Sequence, residues 1–210
     1  MLSPGHAWTL ERNDRRLLFA VAGEAALFGE SMASRASRHR HPVWKVVLPI
    51  GGLAWIAHAT LAPTAAPGLI VPPELAHACA ATSAYVALFL DPTLVHPELG
   101  LIRLDTAAVN RLHAALGVDG VDGSCATPDM AAAYGELVAL TGAAASIDAR
   151  VAHAVRHGMN SHEDTIPAIA AGVGLSAPRL RTLVSASVGV PLVRLRRWGR
   201  LRVAIAVLPG

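Results

Sequence analysis

The sequence predicts an α+β fold, an antiparallel β domain followed by an all-α region, on three observations. Short apolar runs separated by Gly, Pro and Ser clusters fill residues 17–90. After Asp91-Pro92 the pattern becomes alanine-rich with helical periodicity. Near the end, "GLSAPRLRTL" (174–183) starts a helix sharply after a glycine and loads it with arginine.

The β runs are "LLFAV", "AALFGES", "VWKVVLPI", "LAWIAHA", "GLIV" and "AYVALFL", at the spacing of an antiparallel sandwich or barrel. Gly51-Gly52 predicts a hairpin turn, and Pro72-Pro73 a strand stop. "DTAAVNRLHAALG" (105–117), "PDMAAAYGELVALTG" (128–142) and "DARVAHAVRHGM" (148–159) read as helices, the first two with capping residues in front. The glycine-rich "GVDGVDGSC" between the first two reads as a loop.

Ile166, Ile169, Ala170 and Val173 then make a short amphipathic helix that closes near Gly172 and Gly174. Ser176 is an N-cap for the next helix, Pro178 fits its first turn, and Leu175 and Leu180 have hydrophobic-staple spacing. Leu180, Leu183 and Val184 form its apolar stripe, and Pro178, Arg181, Thr182 and Ser185 project opposite. The pattern fits a helix-turn-helix or an ordinary αα-hairpin with a solvated face. A final helix begins at Pro191, with Leu192, Leu195, Trp198 or Leu201, Ile205 and Leu208 as its buried stripe.

Charge is distributed unevenly. Residues 1–149 carry 9 basic and 13 acidic side chains, whereas 165–210 carry seven arginines and no acid, the asymmetry expected where one end meets a polyanion. Hydrophobic residues make up 53% of the 210, but Pro49, Pro63, Pro67, Pro72 and Pro73 break the most apolar region below membrane length. The N-terminus has no basic start or apolar core, and Cys79 and Cys125 form no disulfide framework. A soluble, cytoplasmic protein without a membrane partner is expected.

Residues 165–208 resemble the first helix-turn-helix and linker helix of the AraC/XylS transcriptional regulators. The matching positions are Ile166, Ala170, Gly174-Leu175-Ser176, Arg179-Leu180, Leu183, Gly189-Val190-Pro191, Arg200-Leu201 and Ala204. The front half is similar to the cupin sensor domain carried by many of these regulators. "HRHPVWKVVLPIGG", with His39-x-His41 at the start of a strand, and "GLIVPPELAH", with Pro72-Pro73 and His77, stand where the two cupin motifs stand. The family's second helix-turn-helix is missing. The resemblance therefore implies a cupin-like effector-binding or dimerisation domain (1–92), a helical linker (93–160) and half of a DNA-binding domain (161–210).

It further implies a non-enzymatic regulator that reads double-stranded DNA, takes a small-molecule effector and forms a homodimer. Ser176, Pro178, Arg179, Arg181 and Thr182 would face the major groove, with Arg181 placed for a guanine edge, while Arg194 and Arg197 reach phosphates or solubilise their helix. The rival readings are a cupin-fold metal-binding protein or enzyme, and a truncated regulator that only dimerises.

His39, His41 and His77 are the candidate metal ligands, for Zn or Ni, joined by Cys79 if its strand continues past His77. Lys45 replaces the carboxylate of enzymatic cupins, which argues against dioxygenase or isomerase chemistry and predicts weak metal binding at most. Alternatively His39, His41, Lys45 and His77 line a metal-free effector pocket, or the histidines are purely structural.

Overall fold

Among the described residues, eleven antiparallel strands precede six helices, as the α+β expectation required. This computed structural model describes residues 6–206 apart from 24, 61, 97, 119–126, 143–146 and 162. The strands are β1 (His6–Arg12), β2 (Arg15–Ala22), β3 (Ala25–Glu30), β4 (Ser34–His39), β5 (Trp44–Pro49), β6 (Ala54–His58), β7 (Thr64–Ala66), β8 (Gly68–Val71), β9 (His77–Ala81), β10 (Tyr85–Leu90) and β11 (Ile102–Leu104). Seven of them form one sheet in the order β1-β2-β3-β10-β5-β8-β11, and four form another, β4-β9-β6-β7.

Strand β5 explains the layering. All six of its residues are buried, which requires cover on both sheet faces. Trp44, Val46 and Leu48 share a core with Leu112, Leu116 and Leu137 of the helices α1 (Thr106–Leu116) and α2 (Met130–Thr141). Val47 packs instead with Ala54 and Ile56 of the four-stranded sheet, and by alternation Lys45 shares that inner face.

Helices α1 and α2, expected within a linker, therefore complete the core of the β domain, and β11 pairs with β8. The outer face of the seven-stranded sheet is too apolar to meet water, so this core extends well past residue 92. Asp105 caps α1 by accepting from the Ala108 N–H at 2.8 Å, and Asp129 caps α2 through Ala131 and Ala132. The expected glycine-rich loop falls largely outside the described residues.

A second core joins α3 (Ala149–Asn160), α4 (Ile166–Gly172), α5 (Ala177–Val188) and α6 (Leu192–Ala206) through Val151, Met159, Ile169, Leu180, Val184 and Leu195. Val43, from the loop before β5, belongs to this cluster and ties the helices to the sandwich. No helix among the described residues is long and apolar enough to cross a membrane.

Two local expectations are corrected. Gly51-Gly52 makes no hairpin; the chain passes there from β5 in one sheet to β6 in the other. Gly51 has φ +69°, and a Cβ on Gly52 would lie 2.3 Å from the Ser83 Oγ, so the corner needs both glycines for different reasons. On α6 the buried stripe runs Leu192, Leu195, Gly199, Arg202, while Leu201 is exposed and Trp198 half-buried. Leu208 lies outside the described residues. Arg202 is buried because it donates to Asn160 Oδ1 on α3, a partner far away in sequence.

The α3–α6 crossing is close. A Cβ on Gly199 would stand 2.0 Å from the Met159 carbonyl oxygen, a backbone atom that cannot move without its helix. Gly199→Ala is expected to destabilise the protein by at least about 1–3 kcal/mol. Gly135, mid-way along α2 with nothing within 4 Å of its built Cβ, is the control. Gly135→Ala should stabilise by about 0.5–1 kcal/mol. Urea unfolding of both variants checks the pair. In the same assay, a fragment of residues 1–142 should unfold cooperatively, and one of 1–105, stripped of α1 and α2, should not.

Candidate metal centre and helix-turn-helix face

The inner end of the four-stranded sheet gathers polar side chains in an otherwise aliphatic layer. In the β4–β9 ladder His39 stands opposite His77, and Cys79 opposite Ala36, with a register shift between Ala36 and His39. His77 and Cys79 are two apart on β9, so they share a face. One ring nitrogen of each histidine and the Cys79 sulfur lie within 4.8 Å of one another. The Cys79 Sγ is 4.0 Å from His39 Nε2.

The hydrogen bonds orient both rings. His39 donates its Nδ1–H to the Ser37 carbonyl at 2.6 Å, and His77 donates its own to Leu75 at 2.7 Å. Nε2 is then the unprotonated nitrogen of each ring, the arrangement that second-sphere partners give metal-binding histidines. His77 is 1% exposed, and its Nε2 has no hydrogen-bond partner among the described residues. Across the sandwich, Lys45 of β5 donates to the Cys79 Sγ at 3.3 Å. Of the expected set His39, His41 and His77, with Cys79 as an addition, the structure brings His39, His77 and Cys79 together beside Lys45.

His41 does not join the ligand set. Strand β4 ends at His39, so His41 lies in the connection to β5 and the expected alternation along one strand fails. Its ring is 4.8 Å from His39 but 6.3 Å from His77, and packs on Phe89 at 5.1 Å and on Trp198 of α6 at 6.2 Å.

Burial is the main cause that lowers the pKa of all three histidines, and Lys45 adds to it. His77 falls to about 4 and His41 to about 3. All three rings are therefore neutral at neutral pH.

Volume separates two kinds of ligand. The cavity beside Lys45 and Cys79 inside the sandwich is about 40 Å³, room for an ion or a water. Organic ligands need about 300–1,000 Å³. A cavity of about 310 Å³ lies instead where the sandwich meets α6, lined by Arg40, His41, Pro42, Arg194, Arg197, Trp198 and Leu201. Sequence reasoning missed Arg40, Phe89 and Glu74 there. Glu74, at φ +62° just after the paired prolines, donates its N–H to the His41 carbonyl at 2.8 Å. Its carboxylate accepts from Arg194, whose guanidinium is thereby committed to an ion pair within the protein.

The α4–α5 pair has the caps and glycine turn that the sequence predicts, as either a helix-turn-helix or an αα-hairpin with a solvated face requires. Thr165 caps α4, Gly174 turns the chain at φ +67°, and Ser176 caps α5 by accepting from the Arg179 N–H at 3.4 Å. Leu180, Val184 and Val188 are buried, and Ser176, Pro178, Arg179, Arg181 and Thr182 are all exposed. Arg197 is exposed on α6.

No protein-family model matches this chain, and no curated protein matches it. Among solved structures, the AraC-like transcriptional activator CuxR is similar over 94% of this chain and 86% of its own, at 16% identity and TM-score 0.45. A ToxT variant from Vibrio cholerae is similar over 91% and 97%, at 10% identity and TM-score 0.31. An RmlC-like cupin from Shewanella frigidimarina covers 40% of this chain and 83% of its own, at 12% identity and TM-score 0.31. At these scores, the architecture rests on the chain's own structure.

The depressed histidine pKa values have a stability consequence. Each ring is neutral in the fold but protonates near pH 6.5 when unfolded, so the unfolded chain binds more protons below that pH. In chelator-treated protein, stability should fall as pH drops from about 6.5 toward 4. His41→Phe keeps the ring packing and cannot protonate, so urea unfolding across that window should show a shallower pH slope.

Proposed function

We propose that this chain is a DNA-binding transcriptional regulator, with residues 161–210 as its DNA-reading segment and a cupin-like β domain that senses a small ligand or mediates dimerisation. The observation that carries the reading is the exposed face of α5. It presents Ser176, Pro178, Arg179, Arg181 and Thr182 together, at the start of a helix preceded by a tight glycine turn. From Thr165 to Gly210 the sequence contains no acidic residue to repel phosphate. An unhindered helix N-terminal half with two arginines has the shape and charge to enter a major groove.

Ligand sensing has a natural place in this reading. The cavity between Arg40–Pro42 and α6 is lined by both halves of the chain, so an occupant there would bear on how the helices sit against the sandwich. The face of α5 carries DNA contact, and Arg197 supplements it. Arg194 contributes through its ion pair with Glu74 rather than through phosphate.

Contacts to one groove through α5 imply weak, salt-sensitive binding by that helix alone. The test is a titration of wild type and Arg181→Ala at two salt concentrations, on duplexes selected from a random pool by the wild type and on scrambled duplexes. Arg181→Ala should cost about 1–3 kcal/mol on selected sites and clearly less on scrambled ones. Equal losses on both would make Arg181 a backbone contact. The absence of salt-sensitive binding to any duplex would sink the reading.

A further inference from the structure

We infer that His39, His77 and Cys79 form a site for a soft monovalent metal ion, Cu(I) being the biological example, and that Lys45 sets this charge preference. The inference stands apart from the DNA-binding reading.

The donor set is built rather than incidental. Its three donor atoms lie within 4.8 Å of one another, and both imidazoles are held by Nδ1–H bonds to backbone carbonyls that leave Nε2 to ligate. His77 is 1% exposed, and its Nε2 is buried with no hydrogen-bond partner among the described residues, a cost that a ligand bonded to that nitrogen removes. The space of about 40 Å³ beside the Cys79 sulfur is lined by Ser34, Ala36, Lys45 and Tyr85 and by neither histidine, so the ion would sit among the three donor atoms and not in that space.

Ligand type and charge then choose the ion. A thiolate with two imidazoles is a soft set, suited to Cu(I). Zn(II) takes a fourth ligand, from the protein or from water, and among the described residues no carboxylate stands with these three to offset its second charge. Lys45 Nζ is 3.3 Å from the Cys79 sulfur, so any ion bonded to that sulfur stands beside an ammonium. Thiolate and ammonium cancel, and the imidazoles are neutral. A monovalent ion leaves one uncompensated charge in this buried place. A divalent ion leaves two and meets twice the repulsion from Lys45. On binding, the Cys79 S–H proton leaves to solvent as the Cu–S bond forms, with no change of oxidation state. The Lys45 N–H remains a hydrogen-bond donor to the sulfur.

The test uses the full chain under anaerobic conditions. Cu(I) is titrated against bicinchoninate, Zn(II) against a chelating dye, and copper-edge X-ray absorption reads the ligand atoms. Wild type should hold one Cu(I) per chain with a sulfur scatterer and retain no stoichiometric zinc through gel filtration. Cys125→Ser should behave as wild type. Cys79→Ser should lose the sulfur scatterer and weaken Cu(I) by at least about tenfold. Lys45→Leu, uncharged and without a donor atom, should gain at least about tenfold in Zn(II) affinity and change Cu(I) binding less. Should Cys79→Ser not fold, the sulfur scatterer in the Cys125→Ser protein decides the ligand instead. Absent stoichiometric copper, copper without a sulfur ligand, one zinc retained per wild-type chain, or unchanged zinc affinity in Lys45→Leu would each overturn the inference.

Discussion

The seating of α6 is the constraint on which the rest of the molecule depends. One side of the helix lies so close to α3 that only glycine fits at position 199, against the Met159 carbonyl. The other side meets the sandwich through three unlike contacts. Trp198 packs on His41 and Phe89, Arg194 pairs with Glu74, and the Ile205 carbonyl accepts from the Trp8 indole at 3.0 Å. Because α3, α4 and α5 share one core with α6, these contacts fix the arginine face of α5 relative to the β domain. The Arg194–Glu74 pair is partly buried, so its removal would leave a desolvated carboxylate as well as lose an attraction.

Much of this fold was legible because local chemistry specifies it. Asp105, Asp129, Ser176 and the left-handed Gly174 act within a few residues of themselves, and the strand stop at Pro72-Pro73 needs no partner. The misreadings are non-local. Strand β4, SRASRH, has no apolar alternation because it lies at the edge of its sheet, and its burial pattern is correspondingly mixed. A Gly-Gly corner looks the same in sequence whether its two strands pair or diverge into facing sheets. Helical periodicity offered Trp198 or Leu201 for the buried stripe of α6 and left Arg202 out. In the structure Arg202 is buried with Asn160 as its acceptor, Trp198 is half-buried and Leu201 is exposed.

The site shows the same division. Cys79 beside His77 was readable from strand period, since residues two apart on a strand share a face, whereas His39, His77 and Lys45 were singled out by the resemblance to cupin motifs. His41 was misplaced for want of a strand end. A period-2 argument holds only while pairing continues, and here the ladder shifts register and stops at His39. Glu74, Phe89 and Trp198 carry no signal of their own. They matter because the fold brings a turn, a strand end and a helix face together around His41.

That convergence gives charge at the cluster a route to the helices. The rings of His77, His39, His41 and Trp198 follow one another at centroid separations of 4.5, 4.8 and 6.2 Å, from the interior of the sandwich to α6. His41 feels Lys45, His39, His77 and Arg194, all of which depress its pKa after burial has done so. His41 is therefore neutral at neutral pH with or without an ion at His39 and His77, and its ring is an apolar partner for Trp198 and Phe89. What an ion at the cluster would alter is the field at the Arg194–Glu74 pair, on whose two charges it would act in opposite senses. Interactions across a poorly screened interior act over such distances, whereas those between exposed charges do not.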